Sequence, residues 1–144
     1  MAQSATSAAG PLEIYRRMQE ALFAEEATLL PAELLVEDLV VETPFSPPGA
    51  RRIDGRQAWL DFYRAHGAGL VIRFEDFREL ATHRTADPEV IVVEYELGGT
   101  VAATGMRDSV NGIGVLRVRD GLIMHWREYQ NLPAISQALS GLGE

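Results

Sequence analysis

Apolar positions recur along the chain first with a helical period and then with a strand period. From Pro11 onward, Leu12, Tyr15, Met18 and Leu22 return at steps of three and four, as do Ile14, Met18 and Ala21, while Arg16, Arg17 and Glu20 take the other side. This spacing predicts an amphipathic helix to about residue 25, opened by a proline in its first turn. A shorter helix is expected over residues 26–30, with a further turn to residue 35. Residues 39–43 are β-branched and read as a strand stopped by Pro44. The proline-rich stretch after Phe45 reads as a loop of the kind that rims pockets. Asp54-Gly55 then leads into a helix over residues 56–66, on which Trp59, Phe62, Tyr63 and His66 share one face.

Beyond Gly67 the period falls to two. Strands are expected over residues 71–83, 89–101, 110–119 and 122–131, followed by a short terminal helix over 133–139. Phe74 and Phe77 differ in parity, so the first of these strands should carry a bulge or switch face. Gly98-Gly99 inside the second predicts a kink, with a flap from residue 100 to 107. Asp120-Gly121 is a two-residue hairpin signal. Helices and strands are segregated, which argues an α+β fold: a curved antiparallel or mixed sheet wrapped around about three helices, enclosing a pocket that half of each strand's residues must face. Residues 1–10 read as a disordered tail without a leader pattern, and residues 11–144 as one domain.

Composition removes whole classes of chemistry. There is no cysteine, hence no disulfide, thiolate metal site or cysteine nucleophile, and all 13 basic residues are Arg, hence no Schiff-base lysine or phosphate-loop lysine. The net charge of −8 argues against nucleic acid as a partner. No apolar run approaches the ~18 residues of a membrane span. The three histidines, His66, His83 and His125, are dispersed, and glycine-rich phosphate loops and serine elbows are missing, so neither metal nor cofactor is expected. A soluble, cytoplasmic protein is the expectation.

Four segments carry a resemblance: Glu37-Asp-Leu-Val-Val-Glu-Thr-Pro44, Ile53-Asp-Gly-Arg56, Val92-Val-Glu-Tyr-Glu96, and residues 118–129, where an Asp-Gly turn leads into Trp126-Arg-Glu-Tyr129. Together they make the chain, over roughly residues 11–140, similar to the SnoaL-like polyketide cyclases of the NTF2-like superfamily. The ketosteroid isomerases of that superfamily place a base and two oxyanion donors where this chain has Thr43, Met18 and Gly114, so their machinery is not carried over. Limonene-epoxide hydrolases use a triad whose matching positions are Glu96, Glu94 and Glu128; the central arginine of that triad is Glu94 here, which counts against epoxide opening by water. The resemblance also implies a homodimer through the outer face of the sheet, to which Ile91, Val93, Tyr95, Ile113 and Val115 would contribute an apolar surface.

The candidate chemistry follows from parity. A period of two sets Glu94 and Glu96 on one face of their strand, and Met124, Trp126 and Glu128 on one face of theirs. If both faces line the cavity, the three glutamates are candidate catalytic residues, with burial and like charge raising at least one pKa. The other placement is the outer face, in ion pairs with Arg107, Arg117 or Arg127. Trp126, Met124, Tyr15, Met18, Trp59, Phe62, Tyr63 and His66 are candidate substrate-binding residues, each of which could equally be core. The implied activity is a cofactor-independent cyclase or isomerase of secondary (antibiotic-type) metabolism. It would act on a hydrophobic, polyketide-like small molecule by carboxylate acid–base catalysis or by templating an intramolecular cyclisation. The alternative is a non-catalytic protein that binds an apolar ligand.

Overall fold

A single sheet of six strands carries the architecture. The computed structural model describes residues 9–46, 51–66 and 72–131. In chain order its elements are helix α1 (Pro11–Leu22), a 3-10 turn (Ala32–Leu34), β1 (Leu35–Thr43), β2 (Arg51–Asp54), helix α2 (Arg56–His66), β3 (Ile72–Arg84), β4 (Val90–Val101), β5 (Arg107–Arg119) and β6 (Leu122–Gln130). The sheet order is β2-β1-β6-β5-β4-β3. β1 runs parallel to β6 and every other pairing is antiparallel. The fold is the expected α+β arrangement, with both helices on the inner face of a mixed, open sheet. Most of the expected tail, the loop from residue 47 to 50 and the terminal helix over 133–139 lie outside the described residues. Among those described, no helix is long and apolar enough to cross a membrane.

Local chemistry explains most element boundaries. Asp120 and Gly121 both have positive φ, 54° and 76°, the pairing that a tight hairpin between right-twisted strands demands. β3 carries two register shifts. One falls between Phe74 and Asp76, opposite Gly98 and Gly99, which reconciles the parities of Phe74 and Phe77. α1 stops at Leu22, short of residue 25, and residues 26–30 form bends rather than a helix. The carbonyl of Ala21 accepts from the backbone N–H of Thr28, reversing the chain so that Leu30 is fully buried. β2 follows the expected proline-rich loop and is a strand that the pattern does not predict; its Arg, Arg and Asp conceal the alternation, as charged residues on an edge strand do.

Two expectations about sheet faces are corrected. Ile91, Val93 and Tyr95 of β4 belong to the core, not to an outer dimer surface. They stand directly opposite Leu116, Gly114 and Gly112 of β5, and that face of β5 is committed inward by buried Leu116 and Val118. Ile113 and Val115 do face outward, Ile113 being 42% exposed. The second correction is Met124. A bulge pairs Arg117 with His125 but Val118 with Ile123, so Met124 has no partner across the ladder. Ile123 and Trp126 both point inward although three apart, and Met124 lines neither core nor cavity.

Candidate active site

Between α2 and the inner face of the sheet lies a cavity of about 440 Å³. One wall is the predicted stripe: Trp59, Phe62, Tyr63 and His66 all line it. Their rings lean on one another, Trp59 at 5.5 Å from Tyr63 and Phe62 at 5.2 Å from His66. The facing wall is Val41 and Thr43 of β1, Trp126, Glu128 and Gln130 of β6, Gly112 of β5, and Tyr95 of β4. Helical periodicity presents the aromatic stripe, and strand alternation presents every second residue of four adjacent strands, so the apolar chamber follows from the two periods meeting.

Two glycines shape the sheet wall. A methyl group on Gly114 would lie 2.1 Å from the far edge of the Trp126 indole, and one on Gly112 would lie 2.9 Å from the Tyr95 hydroxyl oxygen. Only hydrogen at these positions lets the indole and the phenol lie flat against β5. Trp126 is 1% exposed as a result.

Glu128 is the ionisable group set into this wall, 8% exposed. The Tyr95 hydroxyl donates to Oε2 of Glu128. Gln130 Nε2 donates to Oε1 at 3.3 Å, and the Gln130 carbonyl oxygen accepts from the Ser46 hydroxyl at 3.4 Å. Removal from water pushes the Glu128 carboxyl up to about 7, against a weaker opposing effect of the Gln130 hydrogen bond. Tyr95 stacks on Phe77 at 5.8 Å, and Phe77 meets Tyr15 edge-on at 6.0 Å, which holds the donating phenol from behind. Burial, with Glu79 and Glu128 adding, pushes the Tyr15 phenol upward, so it stays neutral. Three cavity-lining residues bear buried polar atoms with no partner among the described residues: Thr43 Oγ1, Trp59 Nε1 and Trp126 Nε1.

The other predicted residues separate from this group. Glu94 and Glu96 are on the outer face, where Glu94 meets His83 Nε2 at 2.6 Å and Glu96 accepts from Arg78 at 3.0 Å. Their partners come from β3 rather than from Arg107, Arg117 or Arg127. The reason is the inward commitment of Tyr95, which turns both neighbours out. The cavity therefore holds one of the three expected carboxylates, and the triad matched to the epoxide hydrolases is not assembled. Tyr15 and Met18 are buried core residues behind the wall and do not line the cavity. Tyr95 and Gln130 are the functional candidates that sequence reasoning missed. Gln130 shares parity with Glu128, and the alternation of apolar odd with acidic even residues on β4 marks Tyr95 as inward. Among the described residues, no cluster of three or more His, Asp or Glu could hold a metal ion.

The SnoaL-like domain model matches residues 15–126. The chain belongs to this family. SnoaL-like domains lie within the NTF2-like superfamily, and the sheet and helices described above form its cone. Two curated relatives are the uncharacterised Bacillus subtilis protein YesE, 31% identical over 76% of this chain and 74% of its own, and an uncharacterised PhzA/B-like protein of Pseudomonas aeruginosa, 33% identical over 72% of each. A solved structure of a proposed isomerase from Bacillus subtilis is 26% identical, covers 90% of this SnoaL-like chain and 92% of its own, and superposes with a TM-score of 0.79.

Proposed function

We propose that this SnoaL-like protein is an isomerase or cyclase of an apolar, polyketide-like small molecule and that Glu128 is its proton-transfer group. The observation that carries the reading is the burial of one carboxyl in an aromatic cavity, which raises its pKa to about 7. A group poised there is present in both protonation states near neutrality, the condition for general acid–base work. Ionised Glu128 takes a proton from carbon next to a ligand carbonyl, and the C–H electron pair moves into an enolate. In an isomerisation the resulting carboxylic acid returns that proton to a different carbon of the conjugated system. In a cyclisation the enolate carbon forms a C–C bond to a second carbonyl of the same molecule, and the acid protonates the new alkoxide. Both sequences regenerate the carboxylate and conserve atoms and electrons.

The remaining cavity groups have roles consistent with this. Tyr95 and Gln130 orient the carboxylate, and the Gln130 hydrogen bond holds its proton affinity below what burial alone would give. The unpartnered indole N–H groups of Trp59 and Trp126 supply donors for the enolate oxygen, since an indole can only donate. The aromatic walls fold the ligand into a reactive shape. The experiment is turnover of β,γ-unsaturated ketones and poly-β-keto esters, followed by mass spectrometry, for native protein and Glu128→Gln. Loss of three orders of magnitude in the variant is expected. Bound but unchanged ligand with the native protein would instead identify a carrier. The outer face around Ile113 and Val115 supports a homodimer, checked by sedimentation at micromolar concentration.

A further inference from the structure

The mouth of the cavity holds a cation that proton transfer at Glu128 does not use. Arg51 opens β2 and stands in register with Thr43 of β1, and both line the cavity. Its guanidinium lies over the Phe62 ring, 4.9 Å from the centroid. Among the described residues Arg51 forms no ion pair, whereas its neighbour Arg52 bonds Asp54 at 3.0 Å. A chain with 21 acidic residues and 13 arginines has carboxylates to spare. Arg16, Arg56 and Arg84 likewise form no ion pair among the described residues, but of these four arginines Arg51 alone lines this apolar chamber. The contact with the ring uses none of the guanidinium N–H groups, and among the described residues they have no hydrogen-bond partner, so they remain for a carboxylate. Beside it sits the buried, unpartnered hydroxyl of Thr43. The His66 imidazole, tilted against the same Phe62 ring with centroids 5.2 Å apart, and the amide of Asn111 are further polar side chains that line the cavity.

We infer that the ligand of this site is an apolar molecule ending in a carboxylate, which Arg51 and the Thr43 hydroxyl bind at the mouth. The inference deepens the acid–base reading and rests on the same cavity. A single cation matches a singly charged group. A phosphate dianion would bring excess negative charge into a cavity that already contains Glu128. With its anionic end fixed at the mouth, the apolar body lies between the Trp59 and Trp126 walls, which is how charge at one end sets which carbon reaches the acid.

The test uses 2-naphthylacetate and its methyl ester as matched probes. Binding to the native chain is read by quenching of Trp59 and Trp126, its two tryptophans, and by calorimetry. Arg51→Gln should weaken the carboxylate at least tenfold and the ester less than threefold, while Arg51→Lys should recover part of the loss. Weakening of both probes alike, or a change below threefold for the carboxylate, overturns anion recognition. If Glu128→Gln still abolishes turnover in that case, the acid–base reading stands without it. If neither probe binds native protein, the cavity is not a ligand site, and both readings fall.

Discussion

Glu128 and Glu96 are the same residue type on adjacent regions of one sheet, and the difference between them lies in the face each occupies. Glu128 points inward, out of water, and its negative charge is held by a phenol and an amide rather than by a cation. Glu96 points outward, where it pairs with Arg78 among side chains that remain largely solvated. The inner group has a perturbed proton affinity and room for a ligand beside it. The outer one is part of a solvated cross-strand ladder that includes Glu94 and His83. Parity, set by a neighbouring core residue, decides which glutamate can do chemistry.

The largest expected break in this comparison is kinetic. Glu128→Gln should lower turnover about a thousandfold, within the range for a lost acid–base group, whereas Glu96→Gln and Glu94→Gln should stay within about threefold. A large loss in either outer variant would void the contrast.

Next is a pH effect on stability. The folded state binds the Glu128 proton with a pKa of about 7, against 4.5 for the ordinary carboxyl, so between these values it holds more protons than the unfolded state. Stability from this group is present below pH 4.5 and falls as pH rises through 7, by up to about 3 kcal/mol. Denaturant titrations should show Glu128→Gln gaining on the native protein by that amount across the window. A constant difference would mean that the carboxyl is not desolvated.

A smaller effect sharpens the packing side. Gly114→Ala should cost about 2–3 kcal/mol by displacing the Trp126 ring, measured by urea unfolding, and should dislodge Glu128 with it. Tyr95→Phe removes a donor to the charged carboxylate and should move the inflection of the pH–rate profile upward by about one unit. Least of all, Arg78→Ala on the outer face should change stability by no more than about 0.5 kcal/mol.

Much of the fold was legible in the pattern. The bounds of α2, the Asp120-Gly121 hairpin and the bulge between Phe74 and Phe77 each follow from one local rule: helical periodicity, positive φ in a two-residue turn, or a parity conflict. Of the site, Trp126 and Glu128 and the α2 stripe were visible as side chains of one face. What stayed hidden depends on non-local pairing. The inward face of β4 is dictated by its register with β5, where Gly112 and Gly114 look like weak strand residues and are instead the clearance for Tyr95 and Trp126. Met124 was misplaced because a single unpaired residue shifts parity, and nothing in a local window reports that shift. β2 was hidden by its charges and becomes a strand only because β1 offers it a ladder.

The parallel pairing of β1 with β6 joins Val41 to Trp126 and Glu42 to Arg127, residues far apart along the chain. Closing so long a span is entropically costly. It leaves the strand that carries Glu128 held on both edges, by β5 on one side and by β1 on the other. The setting of that carboxyl is therefore a property of the whole sheet, contributed by segments from opposite ends of the sequence, and not of one hairpin.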